Sequence, residues 1–196
     1  MSLTDSLEQI LEWHRQKQTP VAWLLQPGLS EEQILRQLEA VPFKVSREFV
    51  ELYKWRNGAA PGAAGEDTSF FEYHQFLPLE EALSNFQVSY PIMKEFYELT
   101  DWVQVFSDPA GDGYGLSGGP DMADEAPVVF LFEGEGVKVV FDSLTKMLQT
   151  VATSFEEGPM TWEEDALETD FFAWGEVAHR LNPDIKYWRD YVKGSE

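Results

Sequence analysis

Gly115-Leu116-Ser117-Gly118-Gly119 has the spacing of a nucleophile elbow, a G-x-S-x-G in which a tight turn exposes a serine hydroxyl. Asp142 and His179 follow in the Ser, Asp, His order of one class of serine hydrolase, where the imidazole takes the hydroxyl proton and the carboxylate orients the imidazole. That chemistry requires a strand entering the serine and a helix leaving it. The surrounding Gly-Asp-Gly-Tyr-Gly-Leu-Ser-Gly-Gly-Pro-Asp predicts an irregular, flexible loop instead. A small serine hydrolase using Ser117 is therefore the lesser alternative among the functional readings.

Other groupings fall short of a site in similar ways. Asp108, Asp112 and Gly113 occupy the first, fifth and sixth positions of a calcium loop, but Ala110 and Gly119 stand where the third and twelfth ligands belong, so a turn is expected. His14, His74 and His179 have no H-x-H or H-E-x-x-H spacing and are expected at the surface or its boundary. Glu163-Glu164-Asp165, with Glu168 and Asp170, reads as a solvated acidic face rather than as paired catalytic carboxylates. The chain has no cysteine, so disulfides, thiolate nucleophiles and Cys-based zinc sites are excluded. No cofactor and no metal is expected. The seven tryptophans lack basic companions and read as core or interface anchors, with Trp55 and Trp102 expected in the core.

Charge is the strongest functional signal. The 196 residues hold 14 Lys and Arg against 35 Asp and Glu, a net charge of −21, which argues against binding nucleic acid or an anionic membrane surface. The excess is regional. Between residues 57 and 137, Lys94 is the single basic side chain among fifteen acidic ones. Such a segment is either a solubility coat or a face that docks a basic protein, since complementary charge accelerates and selects encounters more than it tightens them. The candidate binding residues are Glu66, Asp67, Asp108, Asp112, Asp121, Asp124 and Glu125. The first residues, Met1 to Arg15, carry acids where a signal peptide needs bases, and no apolar run approaches a membrane span. A soluble, cytoplasmic protein is expected.

The elements that must position these residues are legible in the periodicity. Leu3, Leu7, Ile10, Leu11 and His14 predict an amphipathic helix behind Thr4 and Asp5 that runs out at Thr19-Pro20. Ser30 and Gln33 form a capping box before Ile34, Leu35 and Leu38. A helix from Ser46 turns Phe49, Val50 and Tyr53 to one side and is expected to end on Asn57-Gly58, with Gly58 as a left-handed cap before a small-residue loop from Ala59 to Glu66. Phe70 to Phe76 predicts a strand, Leu79, Leu83 and Phe86 a helix, and Trp102 to Phe106 a second strand, whereas Pro91 to Leu99 is ambiguous. Val128 to Phe132 and Val137 to Phe141, joined by Glu133-Gly134-Glu135-Gly136, predict a β-hairpin. Ser143 opens a helix expected to pack on that hairpin, and after an acidic stretch from Gly158 to Asp170 a last helix runs from Phe171 to Leu181.

This order resembles the SUKH superfamily, which includes fungal cell-wall-assembly regulators of the Smi/Knr type and bacterial immunity proteins. The resemblance rests on Val41-Pro42, Phe49, Tyr53, Trp55 and the Asn57-Gly58 pair, on Phe76-Leu77-Pro78-Leu79-Glu80-Glu81-Ala82, on Trp102 to Phe106 followed by Asp112-Gly113, and on the hairpin and helix through Phe155. Two departures are Asp121, which follows a proline where the family often has an acid on a strand, and Ala59-Ala60-Pro61 after Gly58. The resemblance implies an α+β fold with a single largely antiparallel sheet flanked by helices. The boundaries read as an N-terminal helix and lead-in over 1–28, a core over 29–158 and an acidic, helical extension over 159–196. It also implies a non-enzymatic protein-binding module. The leading expectation is an immunity protein that neutralises a basic toxin such as a nuclease, and a regulatory scaffold is the alternative.

Overall fold

The computed structural model describes residues 1–62, 66–132 and 136–194. Helix α1 (Leu3–Lys17) starts one step earlier than its sequence suggests, because Ser2 and Asp5 cap each other: Asp5 N–H donates to Ser2 Oγ at 3.2 Å and Ser2 N–H to the Asp5 carboxylate at 3.0 Å. A short helix α2 (Val21–Leu24) and strand β1 (Leu25–Pro27) follow, neither of them evident in the periodicity. Helix α3 (Glu31–Leu38) begins on the Ser30–Gln33 capping box as expected. Helix α4 (Arg47–Trp55) buries Phe49, Val50, Leu52 and Tyr53.

The α4 terminus differs from the sequence reading. The helix stops at Trp55, and Asn57 and Gly58 belong to strand β2 (Arg56–Ala59), which pairs antiparallel with β1. Gly58 does take a positive φ of 68°, but not as a helix cap. Its backbone lies against Leu77 and Pro78 so closely that a Cβ would overlap them. Trp55 is half-buried rather than in the core, because its indole N–H donates to the exposed Glu8 carboxylate at 2.6 Å and Arg56 stacks on its ring.

Strands β3 (Gln75–Phe76), β4 (Trp102–Ser107), β5 (Gly113–Ser117), β6 (Val128–Phe132) and β7 (Gly136–Phe141) form a five-stranded antiparallel meander in chain order. The strand expected over Phe70 to Phe76 is only its last two residues. Phe70 and Phe71 instead sit in a bridged turn and fill the core, with Phe70 stacked on Phe106. Both hairpin strands appear where the sequence places them, whereas Glu133, Gly134 and Glu135 of the turn, and Ala63 to Gly65 of the earlier loop, lie outside the described residues. Helix α5 (Leu79–Phe96) resolves the ambiguous stretch: it continues straight through Pro91, which merely withholds the N–H that Gln87 would accept.

The glycine-rich segment is the sharpest correction. It is not a flexible loop: Gly113 to Ser117 is the central strand of the sheet. Gly113 and Gly115 face the Gln104 and Trp102 side chains of β4, and Gly118 faces the Phe43 ring, each at a distance that excludes a Cβ. Close packing, not mobility, calls for the glycines.

Helix α6 (Leu144–Glu157) lies against α1 and α4 and touches β7. The acidic tail then forms a hairpin of β8 (Met160–Glu163) and β9 (Ala166–Thr169), turning on Glu164 and Asp165, both at positive φ as a tight two-residue turn demands. Helices α7 (Phe171–Leu181) and α8 (Lys186–Lys193) complete the chain, α8 against β7 and α7 against α6. One sheet face therefore meets α5, and the other is covered by the C-terminal helices, with α6 and α8 against β7. This is the α+β fold, a largely antiparallel sheet flanked by helices.

Two buried polar groups join these layers. Glu48 of α4 accepts hydrogen bonds from the Leu144 and Thr145 N–H groups at 3.0 and 2.9 Å, capping α6 from a distant part of the sequence. Burial raises its pKa, and the Thr145 and Leu144 hydrogen bonds oppose that shift. His14 was expected near the surface but is fully buried. Its Nε2 lies 2.9 Å from the Phe70 carbonyl, which can only accept, so Nε2 carries the hydrogen and Nδ1 accepts from the Thr19 hydroxyl at 2.8 Å. Burial pushes its pKa down to about 4.

Truncation in Glu48→Ala strands the α6 donors and is expected to cost about 1–3 kcal/mol in urea unfolding, with the folded baseline retained. Because the folded His14 is held below its ordinary value of 6.5, the unfolded chain binds the extra proton. The contribution of His14 is complete above pH 6.5 and is lost as pH falls to about 4, by up to ~3 kcal/mol. Urea midpoints of wild type and His14→Gln, measured from pH 7 to pH 4, are expected to converge as the pH falls; parallel curves would refute the assignment.

Candidate functional site

Helix α5 has two apolar sides. Leu79, Ala82, Leu83, Phe86 and Met93 face the sheet. On the opposite side, at i, i+4 and i+8, Val88, Ile92 and Phe96 stand in solvent at 72%, 57% and 68% exposure. Helical spacing aligns Glu81 and Glu95 with that stripe and turns Lys94 away from it, its ammonium 5.4 Å from the Tyr90 ring. A contiguous exposed apolar row of this kind, bordered by acids, is the pattern of an interaction surface.

Beside the stripe runs a groove of about 420 Å³ between α5 and the sheet, floored by Trp102, Gln104 and Leu131 and walled by Ile92 and Tyr97. Its far end is the β4–β5 turn at Ser107 and Gly111. Asp108 builds that turn: its Oδ1 accepts from the N–H groups of Ala110, Gly111 and Asp112 at 2.8, 2.8 and 3.0 Å. The Gln104 amide donates to the Gly111 carbonyl at 3.1 Å and ties the turn to the groove floor. Trp102 is buried here as expected, under Gly115. The resemblance to a calcium loop thus resolves into a carboxylate capping its own backbone, as a turn requires.

The other acidic candidates lie elsewhere. Asp121, Asp124 and Glu125 are in the β5–β6 connection, at the opposite end of β5 from Asp108 and Asp112 and separated from them by roughly 17 Å of strand. Asp124 pairs with Arg47 at 3.0 Å in the open, where such a pair contributes little. Asp121 borders a second groove, with Leu35, Phe43 and Met122, next to exposed Pro42. Asp67 accepts from Ser69 N–H and, across to the C-terminal hairpin, from Leu167 N–H, both at 2.8 Å, and Glu66 lies exposed beside it. Asn57 Oδ1 accepts from Leu79 N–H at 3.0 Å and so caps α5, while Gly113 allows β5 to approach Phe106. The seven acids therefore do not share one face; Asp108 and Asp112 are the two in the turn that closes the α5 groove, whose lining there is Ser107 and Gly111.

Ser117, Asp142 and His179 are not brought together. No hydrogen bond joins any two of them among the described residues, and His179 Nδ1 is buried without a partner. A strand enters Ser117, but a connection to β6 leaves it where an elbow needs a helix. Among the described residues, no group of three or more His, Asp or Glu side chains is placed to hold a metal ion, and no helix is long and apolar enough to cross a membrane.

Sequence reasoning missed the α5 stripe because Pro91 interrupts the pattern midway; continued through it, the i, i+4, i+8 spacing from Val88 is visible. It also missed the buried cluster of Glu72, His74 and Tyr114, whose residues come from a turn and a distant strand. There the Tyr114 hydroxyl donates to Glu72 at 3.1 Å, and burial, followed by the Glu72 charge, pushes the phenol pKa well up.

A five-stranded antiparallel meander with α5 on one face and the Asn57-Gly58 junction at the start of that helix is the arrangement of a SUKH-type domain. The chain belongs to the SMI1 / KNR4 family (SUKH-1), whose model matches residues 28–150, more than half of its length. No curated protein matches it.

Replacing Asp108 by Ala removes three backbone hydrogen bonds to one charged acceptor and is expected to cost about 2 kcal/mol. Amide exchange should accelerate at Ala110 to Asp112 and remain slow in β6 and β7. Uniform acceleration through the sheet would show that the turn is not an independent local structure.

Proposed function

We propose that the chain is a non-enzymatic protein-binding module, an immunity protein that neutralises a basic toxin such as a nuclease. The observation that carries this reading is the α5 row of Val88, Ile92 and Phe96, bordered by Glu81 and Glu95 and set in the segment where fifteen acids face one base. An apolar centre with an acidic rim suits a partner that presents apolar anchors inside a cationic surface. Burial of the row supplies affinity, and the rim supplies speed of capture and rejection of acidic proteins. A phosphate-binding cleft is cationic by necessity, which makes a nuclease a suitable target. The membership in the SMI1 / KNR4 family supports a binding role and leaves the partner to the surface chemistry.

The test uses purified basic proteins encoded beside this chain. One of them should bind, with an association rate that falls steeply as salt rises. The double variant Ile92→Ala, Phe96→Ala should weaken the complex at least tenfold with an unchanged thermal midpoint, since both side chains are solvent-exposed. An acidic partner, a salt-independent rate, or full affinity in the double variant would each overturn the reading.

A further inference from the structure

A second concavity lies on the other face of the sheet, under the C-terminal helices. It is a cavity of about 210 Å³ between β5–β7 and α7–α8, lined by aromatic rings that include Tyr114, Phe130, Trp188 and Tyr191, with Glu72 as the single acid and no Lys or Arg in the lining. Glu72 is only 3% exposed. Its Oε2 accepts the Tyr114 hydroxyl at 3.1 Å and lies 3.0 Å from His74 Nδ1, off the line of a hydrogen bond. Oε1 accepts no hydrogen bond among the described residues. His74 can pair with this carboxylate only when its imidazole is protonated, so a permanent positive group in the cavity would stabilise a carboxylate so enclosed.

We propose that this cavity binds a quaternary ammonium head group, with Glu72 as its counter-ion and the rings as its walls. Two observations select that chemistry over other cations. Two backbone carbonyls at the wall are already engaged: the Trp188 indole N–H donates to the Val140 carbonyl at 2.6 Å, and the Tyr191 hydroxyl donates to that of Phe171 at 3.1 Å. Glu72 Oε1 could take a donor of a primary ammonium or a guanidinium but would leave the others facing the rings, whereas a methylated ammonium has none to satisfy and is held by ring faces. The volume falls below the ~300–1,000 Å³ of sites for drug-sized ligands, which fits a compact head group rather than a large molecule. The rim already shows the attraction, because Lys138 places its ammonium 4.7 Å from the centre of the Phe132 ring, itself part of the lining. The site is separate from the α5 surface and does not rest on the toxin-binding reading.

Trp174 and Trp188 line the cavity, so their fluorescence reports occupancy. Choline titrated into the full chain should give a saturable change. Its neutral tert-butyl analogue, ammonium chloride and guanidinium chloride should each bind at least tenfold more weakly. Free trimethyllysine, titrated alongside, distinguishes a metabolite from a methylated side chain as the source of the head group. Glu72→Gln keeps the shape and the Tyr114 contact and should lose about tenfold in choline affinity, while the Ile92→Ala, Phe96→Ala variant should bind as wild type. If Glu72→Gln fails to fold, the wild-type comparison of choline with its neutral analogue decides alone. No saturable response to choline or trimethyllysine, or equal binding of the neutral analogue, would overturn the proposal.

Discussion

The contact on which the architecture depends is the approach of Asn57-Gly58 to Leu77-Pro78-Leu79. One side chain and one missing side chain act together: Asn57 Oδ1 satisfies the first N–H of α5, and the absent Cβ of Gly58 lets β2 lie on the chain entering that helix. The Tyr53 hydroxyl, donating to the Leu77 carbonyl at 3.1 Å, fastens the end of α4 to the same point. The helical N-terminal half and the sheet are thereby set in one orientation, and so is the direction in which α5 leaves. The exposed row on α5 faces solvent as a result of this junction, since its opposite side is claimed by the sheet.

Much of this was legible in the residues. Capping boxes, the 128–141 hairpin strands and the helix after Ser143 are local patterns in which each residue's preference agrees with the structure around it. The failures are equally specific. Gly113, Gly115 and Gly118 signal turns by composition, yet their requirement is set by Trp102, Gln104 and Phe43, which only the strand register brings opposite. Likewise, Glu48 looks like any surface glutamate on a helix until α6, almost a hundred residues later, presents its N-terminus. His14 falls in register with the apolar stripe of α1 yet was expected near the surface, because the Phe70 carbonyl that permits its burial is brought to it only by the fold. The acidic candidates were located by counting charge. Counting fixes the segment and not the direction in which each side chain points, so none of the seven lines the α5 groove, and Asp108 and Asp112 only belong to the turn at its end.

The two sheet faces divide the molecule's chemistry. The α5 face carries long-range charge around an apolar row and is suited to meeting another macromolecule. The opposite face conceals a single carboxylate among rings and is suited to something small. They share β5, whose side chains alternate between them: its glycines open towards α5, and Tyr114 points into the cavity.

Asp67 has one oxygen committed to Ser69 in its own turn and the other to Leu167 in the C-terminal hairpin. The stretch shared with the family stops at residue 150, yet this carboxylate and the rings of Tyr114 and Phe130 are completed only by residues beyond 160. The stretch that the family model matches and the stretch that packs together thus have different borders. The residues beyond 160 act as a lining sewn to the back of the sheet, and a chain cut before them would lay bare the face they cover.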